Sequence, residues 1–194
     1  MGGARREGAA IPAAVGFAAA AGNLRRRGRA FNGHYPVLCT VLNYLYLWQE
    51  IRVRGGAYGC GFSAYGNGDL NCYSYRDPQP GRSLRIFRGA ARWLRDYCAG
   101  EPDLTGFILG SASALDPLRD AETKLSTAEQ RRLRGLSEET VNRWYRELLE
   151  TTPADLLALA PALEELAEEN AVCVVASAPL LEPCGVTQVR MDNE

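Results

Sequence analysis

Ile51-Arg52-Val53-Arg54-Gly55-Gly56-Ala57-Tyr58-Gly59 is the joint on which a reading of this chain turns. Before it, apolar residues recur at helical spacing; after it, they alternate as in strands. Two successive glycines at the change of period predict a tight, left-handed bend, because glycine alone takes positive φ without a steric penalty. The bend separates a permanently charged arginine, able to fork two hydrogen bonds, from a tyrosine whose hydroxyl can donate to a developing oxyanion. Arg52 and Tyr58 are therefore candidate substrate-facing residues, with Gly55, Gly56 and Ala57 as the loop between them. Such spacing also occurs in ordinary loops, so the pair rests on its chemistry rather than on a motif.

Working outward, Val37, Leu38, Val41, Leu42, Leu45, Trp48 and Ile51 predict a helix over residues 33–51. It is apolar nearly all round, which implies burial on two sides or a missing partner surface. Asn32 is its candidate cap, Pro36 lies in its first turn, and His34 reads as a structural or rim residue rather than a ligand. On the other side, residues 57–65 and 70–76 read as strands joined by Gly66-Asn67-Gly68-Asp69, a strong hairpin signal. Asn71, Tyr73 and Tyr75 then share one face, and Leu70, Cys72 and Ser74 the other. Residues 13–21, with Val15 and Phe17 alternating, predict an earlier strand.

Beyond the hairpin, helices are expected over residues 81–97 and 103–115, with Asp116-Pro117 as a break. A charged helix from Leu118 follows, ending in Arg131-Arg132-Leu133-Arg134 before Gly135, as the helix dipole and a C-cap favour. Ser137 caps the next helix, whose stripe is Val141, Trp144, Tyr145, Leu148 and Leu149. Thr152-Pro153-Ala154-Asp155 opens another, kinked or split at Pro161. Residues 171–177 are an apolar run, a last buried strand. Residues 1–10 read as disordered, 11–178 as one domain and 179–194 as a flexible tail. The fold class is α+β: an antiparallel-dominated sheet of about four strands with helices chiefly on one face.

The totals narrow the function. A net charge of −1 conceals a division: residues 1–97 carry 14 Arg against 5 acidic residues, and the remainder 8 basic against 18 acidic. That division implies electrostatic complementarity within the fold, or a missing neighbour. The basic run Arg25-Arg26-Arg27-Gly28-Arg29 lacks interleaved aromatic residues and a recognition helix, so it reads as a solvated loop and no nucleic-acid partner is expected. Glu164, Glu165, Glu168 and Glu169 likewise read as a solvated face. Six scattered cysteines with no C-x-x-C pair are read as reduced thiols. One histidine cannot build a hydrolytic zinc site, which draws on two or three. No apolar run approaches the roughly 20 residues needed to span a bilayer, and the opening residues make a poor leader, so a cytoplasmic location without membrane attachment is expected.

Taken in order, Gly22-Asn23-Leu24, Tyr44-Leu45-Tyr46-Leu47-Trp48, the block from Arg52 to Gly59, and Ser74-Tyr75-Arg76-Asp77-Pro78 resemble the C-terminal part of the presequence proteases. These belong to the insulinase–pitrilysin group of zinc metallopeptidases, and the resemblance runs from about Ala14 to about Ser177. It implies an insulinase and mitochondrial processing peptidase-like domain, one of four in two bowl-shaped halves that close around a peptide. It also implies that the N-terminal half holds zinc through an inverted H-x-x-E-H motif, while the C-terminal half supplies an arginine and a tyrosine. By position these are Arg52 and Tyr58, contacting the peptide and the oxyanion. No H-x-x-E-H occurs here, so the expected cofactor of this chain is none, with zinc in the missing half. The resemblance implies as partners the catalytic half or sister domains, with short unstructured peptides as substrates. The chain alone is expected to be inactive. The alternative is a catalytically inactive homologous subunit that binds a partner or peptides.

Overall fold

The computed structural model describes residues 5–115, 120–169 and 171–189. The expected break at Asp116-Pro117, the start of the charged helix at Leu118, and the extreme termini lie outside the described residues.

Strands β1 (Arg6–Ala10) and β2 (Gly16–Asn23) open the chain, and a short 3-10 turn, Leu24–Arg27, follows. Helix α1 (Tyr35–Val41) then runs directly into a π-helical stretch, Leu42–Val53. The hairpin is β3 (Gly59–Ala64) and β4 (Asp69–Asp77). Next come helices α2 (Pro80–Cys98), α3 (Thr105–Leu115), α4 (Ala121–Leu133), α5 (Glu138–Leu149), α6 (Pro153–Leu157) and α7 (Ala160–Glu169). Strand β5 (Ala171–Ala176), the short helix α8 (Ala178–Leu181), a 3-10 turn (Glu182–Cys184) and β6 (Thr187–Val189) complete the order.

The sheet has six strands in the order β3-β4-β2-β5-β1-β6, not about four. The four expected strands are its antiparallel part, β3, β4, β2 and β5. The correction comes from the termini. Residues read as disordered form β1, parallel to β5, and residues read as a tail form α8 and β6, the latter parallel to β1. β1 escapes a sequence reading because Arg6-Glu7-Gly8-Ala9-Ala10 lacks β-branched or aromatic residues. Tertiary pairing makes it a strand. Arg6 stitches the two ends by donating from Nε to Gly185 O (2.8 Å) and from Nη2 to Cys184 O (2.5 Å).

Burial divides the sheet into two faces. Ala18, Phe62, Leu70, Cys72, Ser74, Val172 and Val174 are buried beneath the helices. Phe17, Tyr73, Tyr75 and Cys173 lie on the opposite, open face, so the expected alternation along residues 70–75 is present. The core joins Leu38, Leu42, Leu47, Ile51, Leu94, Leu148 and Leu156, each essentially without exposure. Each contributes about 1.5–3 kcal/mol by leaving water. Pro161 sits in the first turn of α7, where its missing N–H is harmless, and the chain is split there between α6 and α7.

The π-helix changes which residues are buried. A ladder of i→i+5 bonds, such as Arg54 N–H to Gln49 O (3.0 Å), widens each turn and shifts the facing positions. Leu42, Leu47 and Ile51 go inward, while Leu45 and Trp48 stay 37% and 39% exposed. Both had been expected in the buried stripe, on α-helical spacing. The same helix guards the sheet edge. Asn43 Oδ1 accepts from Phe62 N–H (2.6 Å) and its Nδ2 donates to Phe62 O (3.0 Å), imitating a neighbouring strand along β3.

Candidate functional site

The double-glycine bend is closed by its own backbone. Gly56 N–H donates to Arg52 O (3.0 Å) and Ala57 N–H to Ile51 O (3.1 Å), with Gly56 left-handed at φ 77°. Tyr58 N–H then divides between Tyr75 O and Arg76 O, locking the first residue after the bend onto β4. Gly55 is needed for a different reason. A Cβ there would collide with Ile51 O and lie 3.0 Å from Arg82 Nη1.

Charged residues brace the bend from beneath. Glu50 pairs with Arg54 and with Arg82 (3.0 Å), and Arg82 also donates to the Glu50 carbonyl. Gln79 Nε2 donates to Gly55 O (3.4 Å). Arg54 is thus an ion-pair residue, as its place two residues beyond Arg52 implies. These contacts tie the last π-turn to the start of α2.

Arg52 and Tyr58 emerge on the same side of the bend. The Arg52 guanidinium carbon lies 4.0 Å above the Trp48 ring and 5.9 Å from the Tyr58 ring centroid. Tyr58 is 65% exposed and meets Tyr75 edge to face at 5.9 Å; Tyr75 meets Phe17 in the same manner at 5.3 Å. The result is one continuous wall, Trp48–Arg52–Tyr58–Tyr75–Phe17, running from the helix onto the open sheet face. Among the described residues neither the Arg52 guanidinium nor the Tyr58 hydroxyl makes a hydrogen bond or ion pair. Stacking occupies the face of the guanidinium and leaves its edge donors available.

Beside this wall, burial pushes the Cys60 thiol up to about 11, although the charge of Arg52 pulls the other way. Cys60 is a neutral thiol near pH 7 and not an activated nucleophile. A catalytic zinc of the kind the resemblance implies does not fit this chain's residues. His34 is its single histidine, and no group of three or more His, Cys, Asp or Glu gathers among the described residues.

Trp48, Tyr75, Phe17, Glu50 and Arg82 escaped the reading of the site. Trp48 was assigned to the core on an α-helical period that the π-helix breaks. Tyr75 was findable, because hairpin pairing sets Gly59 opposite it, next to Tyr58. The basic loop and the glutamate cluster, each read as solvated, meet one another: Arg26 pairs with Glu169 (3.0 Å), and Arg29 forks onto Glu165 (2.8 and 2.9 Å). The opposite charges of the two halves are thus partly satisfied within the fold.

Residues 6–178 match the family described as the PreP C-terminal domain. Presequence protease 1, chloroplastic/mitochondrial, of Arabidopsis thaliana is 31% identical over 176 residues, 90% of this chain and 16% of that protein. Protein HypA of Clostridium perfringens is 27% identical over 173 residues, 89% of this chain and 18% of its own length. The chain therefore spans less than a fifth of either relative. Among solved structures, pitrilysin superposes with a TM-score of 0.59 at 14% identity, covering 97% of this chain and 21% of that one, a likeness of fold. No helix among the described residues is long and apolar enough to cross a membrane. The matched span runs from the first residue of β1 to the start of α8 and includes the glycine bend, and the chain belongs to the PreP C-terminal domain family.

Proposed function

We propose that this chain is the substrate-contacting, non-zinc-bearing C-terminal domain of a zinc oligopeptidase that degrades short unstructured peptides inside a closed chamber. The observation that carries this reading is the unpaired guanidinium and the unpaired phenol, 5.9 Å apart on one exposed aromatic wall. An extended peptide laid against the open sheet face brings carbonyl groups to Arg52 and the reacting amide to Tyr58. The guanidinium anchors backbone oxygen through its free edge, and the phenol donates to the oxygen on which charge develops. A donor held rigidly at that point stabilises the transition state more than the ground state. The metal chemistry belongs, in this reading, to the catalytic half of the enzyme.

The test is made in the complete enzyme. Tyr58→Phe should lower kcat/KM by about 10²–10³ if its hydroxyl supplies an oxyanion hydrogen bond. Arg52→Ala should act more on KM, because it removes binding shared by ground and transition states. Both variants should keep the parent's circular dichroism and melting temperature, since neither side chain has a hydrogen-bonded partner among the described residues. Near-parental turnover of an unstructured peptide by both variants would defeat the assignment.

A further inference from the structure

On the helix-covered side of the sheet, away from the aromatic wall, the loop after β2 and helices α6 and α7 enclose a cleft of about 410 Å³. Arg29, Asn32, His34, Tyr35 and Asp155 line its polar part, and Leu159 and Ala162 its apolar part. Tyr35 is only 1% exposed, yet its hydroxyl makes no hydrogen bond among the described residues. Its ring is buried while the hydroxyl opens onto the cleft, where it is free to donate to or accept from an occupant.

The hydrogen-bond pattern defines what that ligand must offer. Thr151 Oγ1 donates its single proton to Glu147 O (2.9 Å) while lying 3.0 Å from His34 Nδ1. The proton of that second contact must therefore come from His34 Nδ1. In the neutral ring, Nε2 is then left with a bare lone pair. Asp155 Oδ1 lies 4.0 Å from that Nε2, and the other carboxylate oxygen is taken by the backbone N–H and hydroxyl of Thr152 (2.9 and 2.6 Å). Two acceptors thus face one another across a gap with no donor between them, beside the unpaired phenol.

Surrounding charges leave Asp155 as the unmatched one. Arg29 is held by Glu165, and Glu147 accepts Gly33 N–H (2.7 Å) and lies 3.8 Å from Arg143. We infer that this cleft is a binding site for a primary ammonium group on a short apolar stem. The ammonium donates to His34 Nε2 and Asp155 Oδ1, turns a third proton toward the Tyr35 oxygen, and rests its stem on Leu159 and Ala162. A lysine side chain and the α-ammonium of a peptide or amino acid share this chemistry. This inference stands independently of the peptidase reading.

The single histidine makes the test direct, because the 194-residue chain has one set of imidazole signals. The ¹⁵N-labelled chain is titrated with n-butylammonium, Nα-acetyl-lysine methylamide, alanine methylamide and, as a cation without donors, tetramethylammonium. The expected result is a saturable shift of the His34 Nε2 resonance with one or more of the primary amines and none with tetramethylammonium. Asp155→Asn should weaken binding by at least about tenfold, as loss of a charged hydrogen bond does. Tyr35→Phe should weaken it by less. Binding by the lysine derivative alone identifies a side-chain ligand, and binding by alanine methylamide alone a terminal one. Absence of saturation with every primary amine, an equal response to tetramethylammonium, or unchanged affinity in Asp155→Asn would overturn the inference.

Discussion

Replacing Asn43 tests whether the π-helix guards the edge of β3. Its amide spans both outward-facing backbone groups of Phe62, at 2.6 and 3.0 Å, and the Phe62 side chain is 1% exposed. Asn43→Ala strands one N–H and one C=O next to the core, each worth about 1–3 kcal/mol when left unsatisfied. Water can reach part of this edge, so about 2–4 kcal/mol for the pair is the working figure. Against a total stability of about 5–15 kcal/mol, that is a large fraction. For a domain of this size it lowers the melting temperature by roughly 5–15 °C. Asn43→Asp refines the test. The ionised carboxylate still accepts from Phe62 N–H but turns a second acceptor against Phe62 O, whereas the protonated acid restores both bonds. The folded state then favours the neutral form, so the folded pKa lies above the unfolded one. The stabilisation is present at low pH and lost as pH rises, and Asn43→Asp should approach the parent's melting temperature toward about pH 4. Melting within about 1 °C of the parent for Asn43→Ala, together with a pH-independent deficit for Asn43→Asp, would refute the edge-guarding role.

Gly55→Ala should destabilise the chain more than Gly56→Ala in urea unfolding, although only Gly56 has positive φ. The added Cβ at 55 meets the Ile51 backbone oxygen, whereas at 56 the nearest atom is Pro78 Cγ at 3.5 Å and the penalty is the left-handed strain of about 1–2 kcal/mol. Equal losses would contradict the close-approach explanation. Thiol labelling near pH 7 should modify exposed Cys173 first and leave Cys60 slow, because burial holds the Cys60 thiol up at about 11. Labelling of Cys60 should accelerate as pH rises toward that value; fast modification at neutral pH would contradict it.

The antiparallel half of the sheet was legible because each of its strands carries a local signal. Asn67-Gly68 follows the alternation of the hairpin, and residues 171–176 are continuously apolar. β1 and β6 were not legible, for their pairing depends on each other and on β5, and neither has a pattern of its own. The nearness of Arg52 and Tyr58 across the glycine bend was readable from their spacing. Their bracing was not, because Arg82 reaches Glu50 across 32 positions of sequence and only the folded chain brings them together. The cleft at Tyr35 was hidden for a similar reason: His34, Thr151 and Asp155 belong to segments more than a hundred residues apart.

The π-helix links these observations. An α-helix continued from Tyr35 through Ile51 would turn the apolar positions Leu45 and Trp48 toward the core, as their spacing implies. Widened turns instead place Leu47 and Ile51 inward and leave Trp48 at the surface, directly beneath Arg52. Such helices are uncommon because they gain little intrinsic stability from their geometry. Here tertiary contacts supply it: Asn43 bonds to β3, Tyr46 donates to Ile86 O (2.9 Å), and Glu50 bonds to α2 through Arg82. Those three anchors lie on the inner side of the stretch. The outer side is free to present a tryptophan and an arginine without unfolding the helix that carries them. A guanidinium already stacked on an indole has fewer rotamers to lose when a carbonyl arrives, so its hydrogen bonds form at a smaller entropic cost. The physical case for Arg52 as a contact residue is therefore its stacked, unspent geometry rather than its charge alone.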